Sequence, residues 1–305
     1  MVWYIRRLVQ LAVVLVALVQ VAGLLQTVHP LFDSIAHFRL HITIILALGI
    51  GLLVLLRSWR VAGLAMTVAA AGVYGMGPAL GSIGPDDGAD SQRLVLVQYN
   101  MLYRNRSPAK VAEQVRAAKA DAVTLQEVSD HNKALLTNLK ADYPYQLFCE
   151  SFSVGGVAVA SRWPILAQGC GDGQGLAWIR IDVKGTPVTV ASLHLHWPYP
   201  FAQSDQITSL QGPMKAMPQP VVLAGDFNAA PWSHSVERVA EATRSHVIGG
   251  IRLSLKMAPF GLGPWPLLPI DHVLVPGNAR VSGMQVGSDA GSDHLPVIAT
   301  INLSR

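Results

Sequence analysis

Residues 220–231 read PVVLAGDFNAAP, an apolar strand that ends abruptly in Gly225, Asp226, Phe227 and Asn228. A buried strand that carries a carboxylate and a carboxamide into a turn is seldom made for packing alone. Asp226 and Asn228 are two positions apart. In extended geometry their side chains leave one face, where they can grip a single phosphate or a metal-bound water. The competing reading is a polar turn after a core strand, the ordinary meaning of an Asp-x-Asn triplet. The rest of the chain decides between the two.

Outward from this stretch, strands are predicted at 93–100, 121–126, 145–149, 156–161, 176–183, 187–195, 221–226, 270–275, 280–286 and 295–301. Helices are predicted after the Ser107-Pro108 cap pair and over 130–140, 201–217 and 233–243. Strands in this number, with helices between some of them, predict an α/β fold of two packed sheets flanked by helices. Polar residues recur at the strand ends: Asn100 in QYNML, Glu127 in LQEVS, His194 in SLHLH, Asp226 with Asn228 in GDFN, Asp271 in IDHVL, and Asp293 with His294 in GSDHLP. Each alone has a dull explanation, as a cap, a turn residue or a satisfied structural histidine. Independent accidents at every one of these places are less credible than one site.

Residues 1–80 are of another kind. They carry five basic residues (Arg6, Arg7, Arg39, Arg57, Arg60), one acidic residue (Asp33) and three apolar runs, near 8–28, 40–56 and 61–80. Each run approaches the ~20 residues that cross ~30 Å of hydrocarbon, which predicts about three transmembrane helices and a multi-pass protein of the inner (plasma) membrane. A cleaved signal peptide suits the first run less well, because Gln10 and Gln20 interrupt it and no small-x-small site closes it. A two-span or hairpin arrangement stays open, since the second run is the shortest and the third the least hydrophobic. Arg6 and Arg7 before the first run, and Arg57 and Arg60 between the second and third, put those flanks in the cytoplasm. The expected plan is a membrane region over 1–80, a Gly, Pro and Asp linker over 81–92, and an extracytoplasmic (periplasmic) domain over 93–305.

From residue 91 onward 18 Lys and Arg face 15 Asp and Glu with no dense basic run, so composition argues against a dedicated duplex-DNA surface. Cys149 and Cys170 both fall in this domain. An oxidising compartment would let them pair, and two buried free thiols are the equal alternative. No metal-binding cysteine pattern is present. Residues 248–269 carry Phe260, Leu262, Trp265 and Leu267 beside Arg252 and Lys256. They read either as a core-packed connection or as a loop that dips into a lipid interface. Trp197 and Tyr199, just after the histidine motif, form a second aromatic rim.

The ordered series Asn, Gln-Glu, His-Leu, Gly-Asp-Phe-Asn, Ile-Asp and Ser-Asp-His-Leu-Pro, with GGVAVASRWPI at 155–165, closely resembles the endonuclease/exonuclease/phosphatase superfamily over nearly all of residues 93–302. The resemblance implies a four-layer α-β-β-α sandwich of two mixed sheets and hydrolysis of a phosphoester with Mg²⁺, or Mn²⁺ as the alternative cation. On that pattern Glu127 holds the metal, Asn100 supports the metal or the phosphate, and Asp293 is a second metal-linked carboxylate. Asp226 holds and deprotonates the attacking water, and Asn228 orients a phosphate oxygen. His294 contacts the phosphate with Asp271 fixing its tautomer, and His194 is a further donor. The residue types suit that chemistry, because Mg²⁺ prefers oxygen ligands and keeps several waters beside one or two carboxylates.

His194 stands where AP endonucleases of the family carry tyrosine and where its deoxyribonucleases, sphingomyelinases and phosphoinositide phosphatases carry histidine. This leads away from abasic-site repair. The substrate classes left are nucleic acid, phospholipid and small phosphate ester, the bilayer is the other partner, and no protein partner is predicted. The rival readings are a non-catalytic, membrane-tethered binding module that keeps the fold, and a small transporter. The lack of charge within the predicted spans argues against the transporter.

Overall fold

Apolar residues alternate between the two faces of the chain from Gln92 onward, and both faces are buried, as in a strand at the centre of a covered sheet. The computed structural model describes residues 1–81 and 92–303, so the predicted linker, apart from its end residues, lies outside the described residues. The strands are β1 (Gln92–Asn100), β2 (Ala122–Val128), β3 (Tyr145–Phe152), β4 (Gly155–Ser161), β5 (Ile165–Cys170), β6 (Leu176–Val183) and β7 (Thr186–His194). They continue as β8 (Val221–Asp226), β9 (Ser245–Val247), β10 (Leu255–Met257), β11 (Trp265–Leu268), β12 (Asp271–Pro276), β13 (Arg280–Val286) and β14 (Val297–Leu303). The helices are α1 (Val2–Leu24), α2 (Pro30–Ala36), α3 (Arg39–Leu55), α4 (Trp59–Tyr74), α5 (Gly77–Leu80), α6 (Pro108–Ala117), α7 (Ala134–Leu139), α8 (Gln203–Ala216) and α9 (His234–Thr243).

One sheet runs β13-β14-β1-β2-β4-β3 and the other β5-β6-β7-β8-β12-β9, with β10 and β11 as a separate hairpin. The pairs β1/β2 and β7/β8 are parallel and the rest antiparallel, so both sheets are mixed. Leu94, Leu96, Val159, Ile179, Val190, Val222 and Val273 fill the seam between them. Val111, Val115 and Leu135 of α6 and α7 cover the outer face of the first sheet, and Ile207, Leu210 and Val236 of α8 and α9 cover that of the second. This is the expected four-layer α-β-β-α sandwich. All ten predicted strands form. The four additional strands are short or lie at sheet edges, and the predicted helix over 130–140 shortens to α7.

Cys149 at the edge strand of one sheet and Cys170 at the edge strand of the other form a disulfide, which closes the question that the sequence left open. The bond joins the two sheets across their shared open edge and closes a loop of sequence separation 21. A double Cys→Ala variant should therefore unfold with about 3 kcal/mol less stability, read from denaturant midpoints with and without reductant. Equal midpoints would mean that seam packing alone holds this edge.

In residues 1–80 the expectation of about three transmembrane helices is corrected. Only α1 is by itself long and apolar enough to cross a membrane; α2 and α3 qualify together as one span bent by 60°. At 1.5 Å per residue the 17 residues of α3 and the 16 of α4 rise only ~26 and ~24 Å, short of ~30 Å of hydrocarbon. Gly75 ends α4 early, and the rest of the third apolar run is spent on the short α5. The three long helices pack around Val13, Leu46, Leu53, Ala62 and Ala65. Their outward faces expose Leu11, Leu15, Leu18, Ile45, Leu48 and Leu64.

The bundle has two distinct ends. At one, Gln10 Nε2 donates to Ser58 Oγ (2.6 Å), so Arg6, Arg7, Arg57 and Arg60 gather there. At the other, Arg39 donates to the carbonyls of Gly23 (2.8 Å) and Gly75 (2.7 Å), tying three helices together next to the sandwich.

Candidate active site

The pleat that builds the seam also builds the site. In β1 the inward positions Leu94 and Leu96 are followed by Gln98 and Asn100. In β7 Val188 and Val190 are followed by Ser192 and His194, and in β8 Val222 and Ala224 are followed by Asp226. In β12 the inward series Val275 and Val273 ends in Asp271. Asp226 pairs in register with His194 on one side and Asp271 on the other, so the three stand abreast at one end of the seam. Gly225 lets the strands come this close: a Cβ there would lie 1.8 Å from the Leu193 carbonyl oxygen.

Glu127 arrives by a different route. Val123 and Leu125 face outward, and strict alternation would send residue 127 the same way. A bulge between Leu125 and Val128 and a positive φ of 56° turn it into the cleft instead. Asn228 also sits at positive φ (47°). Such backbone costs about 1–3 kcal/mol per residue and persists only where the surroundings enforce it. Asn132 Nδ2 binds the Glu127 carbonyl (2.9 Å), and Gly155 (φ 115°) packs behind it, where a Cβ would lie 2.9 Å from the Glu127 carbonyl carbon.

The side chains converge on Asp226 Oδ2. Asn100 Nδ2 donates to it at 2.9 Å, and the Nε2 atoms of His194 and His294 lie 3.7 and 3.6 Å away. Asn100 Nδ2 also reaches Glu127 Oε1 (3.1 Å), while Tyr103 N–H donates to Glu127 Oε2 (2.7 Å). Asn100 Oδ1 accepts from Leu102 N–H (3.0 Å), which fixes the amide with its nitrogen between the two carboxylates. Asp226 Oδ1 accepts the N–H of Asn228 (2.8 Å). Asn228 Nδ2 donates to the Leu195 carbonyl (2.8 Å), and its Oδ1 is buried with no partner among the described residues. His294 Nδ1 bonds Asp271 Oδ2 (2.8 Å). Asp293 lines the same cleft but is exposed.

Burial and charge set the protonation states. Burial pushes Asp226 up to about 7, with the Asp271 charge adding to it against His294 and the Asn228 and Asn100 donors. Burial also raises Glu127. It would lower His294, but the carboxylates of Asp271 and Asp226 outweigh it and push that imidazole to about 10. His194, buried and close to His294, falls to about 3 and is neutral. Ligand atoms of Asp226, Asp271 and His294 lie within 4.8 Å of one another, a cluster able to hold a cation. Asp271 and His294 are, however, already bonded to each other, which leaves Glu127 the more open ligand.

Of the candidate site residues, Glu127, His194, Asp226, Asn228, Asp293 and His294 line one cleft of about 370 Å³, with Asn100 behind Glu127 and Asp226, and Asp271 behind His294. Sequence reasoning missed the supports. Gln98 Nε2 binds Asp271 Oδ1 (2.9 Å) and Gln126 Oε1 (2.8 Å), and Gln126 Nε2 binds Ser192 Oγ (2.9 Å), a buried amide chain across the seam. Ser292 Oγ donates to the Asn100 carbonyl and accepts from His294 N–H, which ties the last motif to the first. Their only signal was a polar residue two places before Asn100, one place before Glu127 or beside Asp293. His272, next to Asp271, holds the Ala229 carbonyl through Nε2 (2.7 Å).

Two mixed sheets between helix layers, with carboxylates and imidazoles converging at one end of their seam, make a phosphoesterase-type fold with a site able to hold a metal. The sequence profile of the Endonuclease/Exonuclease/phosphatase family matches residues 97–294, and the chain belongs to that family. A family protein from Bacteroides thetaiotaomicron superposes with a TM-score of 0.56 at 17% identity, covering 70% of this chain and 99% of that one. The endonuclease/exonuclease/phosphatase from Beutenbergia cavernae gives 0.55 at 20% identity, covering 70% and 72%. The β toxin of Staphylococcus aureus gives 0.52 at 16%, covering 70% and 99%. Among curated protein sequences none matches.

Proposed function

We propose that this protein is a membrane-anchored, Mg²⁺-dependent phosphoester hydrolase whose substrate is a lipid phosphoester at the bilayer surface. The observation that carries the reaction is the convergence on Asp226 Oδ2 of Asn100, His194 and His294, with Glu127 one hydrogen bond away. Ionised Asp226 takes a proton from the attacking water, and the unpartnered Asn228 Oδ1 accepts that water's other hydrogen. Asn228 thus serves as an acceptor rather than the phosphate donor expected from sequence. His294, cationic and held through Nδ1 by Asp271, donates Nε2–H to a phosphoryl oxygen. Neutral His194 contributes a hydrogen bond without charge.

The cleft fits a divalent cation. Burial resists the charge on Glu127 that a cation would offset, and among the described residues Glu127 has only two donors and Asn228 Oδ1 none. Glu127 would hold the ion with Asp293 facing the same cleft, and Asn100 would act by steadying Glu127. The ion supplies charge neutralisation at the phosphoryl oxygens. The similar β toxin was solved with bound magnesium ions.

Two features favour a lipid over a nucleic acid. The groove that continues from the cleft, about 500 Å³, is lined by Asp130 and Glu150, with Lys133 already paired to Asp130 (2.5 Å). Among the described residues that line it, a polyanion finds no cationic track. Exposed Trp197 lines the cleft, and exposed Tyr199 and Phe201 follow it in the chain, with the Tyr199 ring edgewise on His29 of the bundle. The β10–β11 hairpin buries its base through Leu255 and Leu268 and exposes Phe260, Leu262 and Trp265, so residues 248–269 combine both behaviours weighed from sequence. The arginines at the far end of the bundle support a cytoplasmic N-terminus and an extracytoplasmic sandwich.

The test uses the full chain in nanodiscs, offered sphingomyelin, phosphoinositides, single-stranded and duplex DNA, and bis(4-nitrophenyl) phosphate. Cleavage of a lipid that EDTA abolishes and Mg²⁺ or Mn²⁺ restores is the expected result. Preference for DNA would overturn the lipid assignment, and no turnover of any substrate would favour a binding module. A reporter fused after residue 90 should signal from outside the cytoplasm. The pH profile follows from the shifts: turnover rises as Asp226 ionises near pH 7 and falls as His294 loses its proton near pH 10. A rate that declines steadily above pH 7 would contradict these roles.

A further inference from the structure

The segment between α1 and α3 does more than link two helices. Asp33, the one acidic residue of residues 1–80, is buried and receives three hydrogen bonds from the start of α9: His234 N–H (2.8 Å), Ser235 N–H (3.0 Å) and Ser235 Oγ–H (2.6 Å). Trp232 Nε1 donates to the Ala36 carbonyl (2.6 Å), and the Trp232 carbonyl accepts from Gln26 Nε2 (3.1 Å). Arg39 holds Gln26 in turn, through Oε1 at 2.8 Å. Ala230 and Trp232 also pack on Met76 and Ala79. All these contacts fall on residues 230–235, the stretch that leaves Asn228.

Asn228 sits at positive φ, a conformation that the neighbouring backbone must enforce. Its amino-terminal side is fixed by β8. Around Asn228 the sandwich adds three holds, Gln203 Nε2 on the carbonyls of Phe227 (3.0 Å) and Asn228 (3.4 Å) and His272 on the Ala229 carbonyl. Beyond them the chain is gripped by the helical connector.

We propose that the α1–α3 connector is a positioning element of the active site, with Asp33 and the Ala36 carbonyl clamping residues 230–235 so that Asn228 keeps its strained, water-facing geometry. The membrane segment is then part of the catalytic unit rather than a tether alone. This rests on the hydrolase reading above. Asp33 touches no reacting atom, so it acts through Asn228, and its loss lowers kcat with little change in KM.

The full chain in nanodiscs is assayed on soluble bis(4-nitrophenyl) phosphate, so that bilayer docking of substrate plays no part. Asp33→Ala should lower kcat about 10-fold, since small misplacements of reacting groups cost one to two orders of magnitude. KM should stay within about two-fold, and amide exchange over residues 227–235 should quicken while β1 and β2 keep their protection. Asp33→Asn, which keeps one acceptor, should recover part of the loss. Trp232→Phe, which removes the bond to Ala36 and trims the packing on Met76 and Ala79 while leaving Asp33 in place, should give a smaller loss of the same kind and serves if Asp33→Ala fails to fold. Gln10→Ala, at the far end of the bundle, should leave kcat unchanged.

An unchanged kcat in Asp33→Ala overturns the proposal, as does an equal loss in Gln10→Ala or a loss without local exchange. A parent chain inactive on every substrate would refute the hydrolase reading instead. The exchange comparison would still decide whether the connector holds the loop.

Discussion

Asp226→Asn is expected to lower kcat about 10³-fold, within the 10²–10⁴ that general-base catalysis contributes. The substitution keeps the shape of the side chain and an oxygen for the Asn228 N–H, but it removes the proton acceptor on which Asn100, His194 and His294 converge. It should not cost the fold. In the unfolded chain this carboxyl ionises at its ordinary value, whereas in the folded chain burial holds its proton until about pH 7. Between those limits and above, the ionised native state is penalised, so the neutral amide should melt at or above the parent's temperature at pH 8. Stability retained with activity lost is the signature of a site that trades one for the other. Retention of more than about a tenth of the parent kcat would remove Asp226 from its role as base.

What sequence made legible and what it hid follow from the period of a strand. Where polar residues continue an inward series, as Asn100 does after Leu94 and Leu96 or Asp226 after Val222 and Ala224, the alternation alone puts them in the seam. Glu127 breaks that rule. Its inward direction depends on a bulge whose cause, Asn132 on its carbonyl and Gly155 behind it, lies elsewhere in the chain, so only its company in the LQEVS motif gave it away. Gln98 and Gln126 obey the rule but looked like ordinary strand residues, because their value lies in partners more than 20 positions distant. The strands missed, β5 and β9 to β11, run for three to six residues, too few for a period to stand out. The apolar runs of residues 1–80 were legible as helices but not in length, since Gly75, Pro30 and the Arg39 staple set where they stop. Docking of the connector on α9 left no trace at all. A single Asp in an apolar segment reads as a loop residue until the helix that it caps is found.

Asp271→Asn should be nearly as damaging as loss of Asp226, for a reason visible in the pH profile. Burial by itself drives the His294 imidazole towards neutrality, and the two carboxylates reverse this. With a neutral amide at this position the charge-assisted bond to Nδ1 and the nearer negative charge both vanish, while the burial remains. His294 should then shed its proton well below pH 10 rather than stay charged and unpaired, which spares the fold the ~3–5 kcal/mol that an uncompensated buried charge costs. The neutral ring is a poorer partner for charge developing on a phosphoryl oxygen, and its tautomer is no longer fixed, so kcat at neutral pH should fall about 10²- to 10³-fold, the range for loss of one preorganised donor.

The direction of the shift separates this account from simple misfolding. In the parent the cationic form persists up to about pH 10, so the alkaline limb lies there. In Asp271→Asn that limb should move towards or below neutrality, making the deficit far larger at pH 9 than at pH 6. A uniform loss across the profile, with the limb unmoved, would mean that Asp271 only supports the strand and that the charge of His294 is set by Asp226 alone.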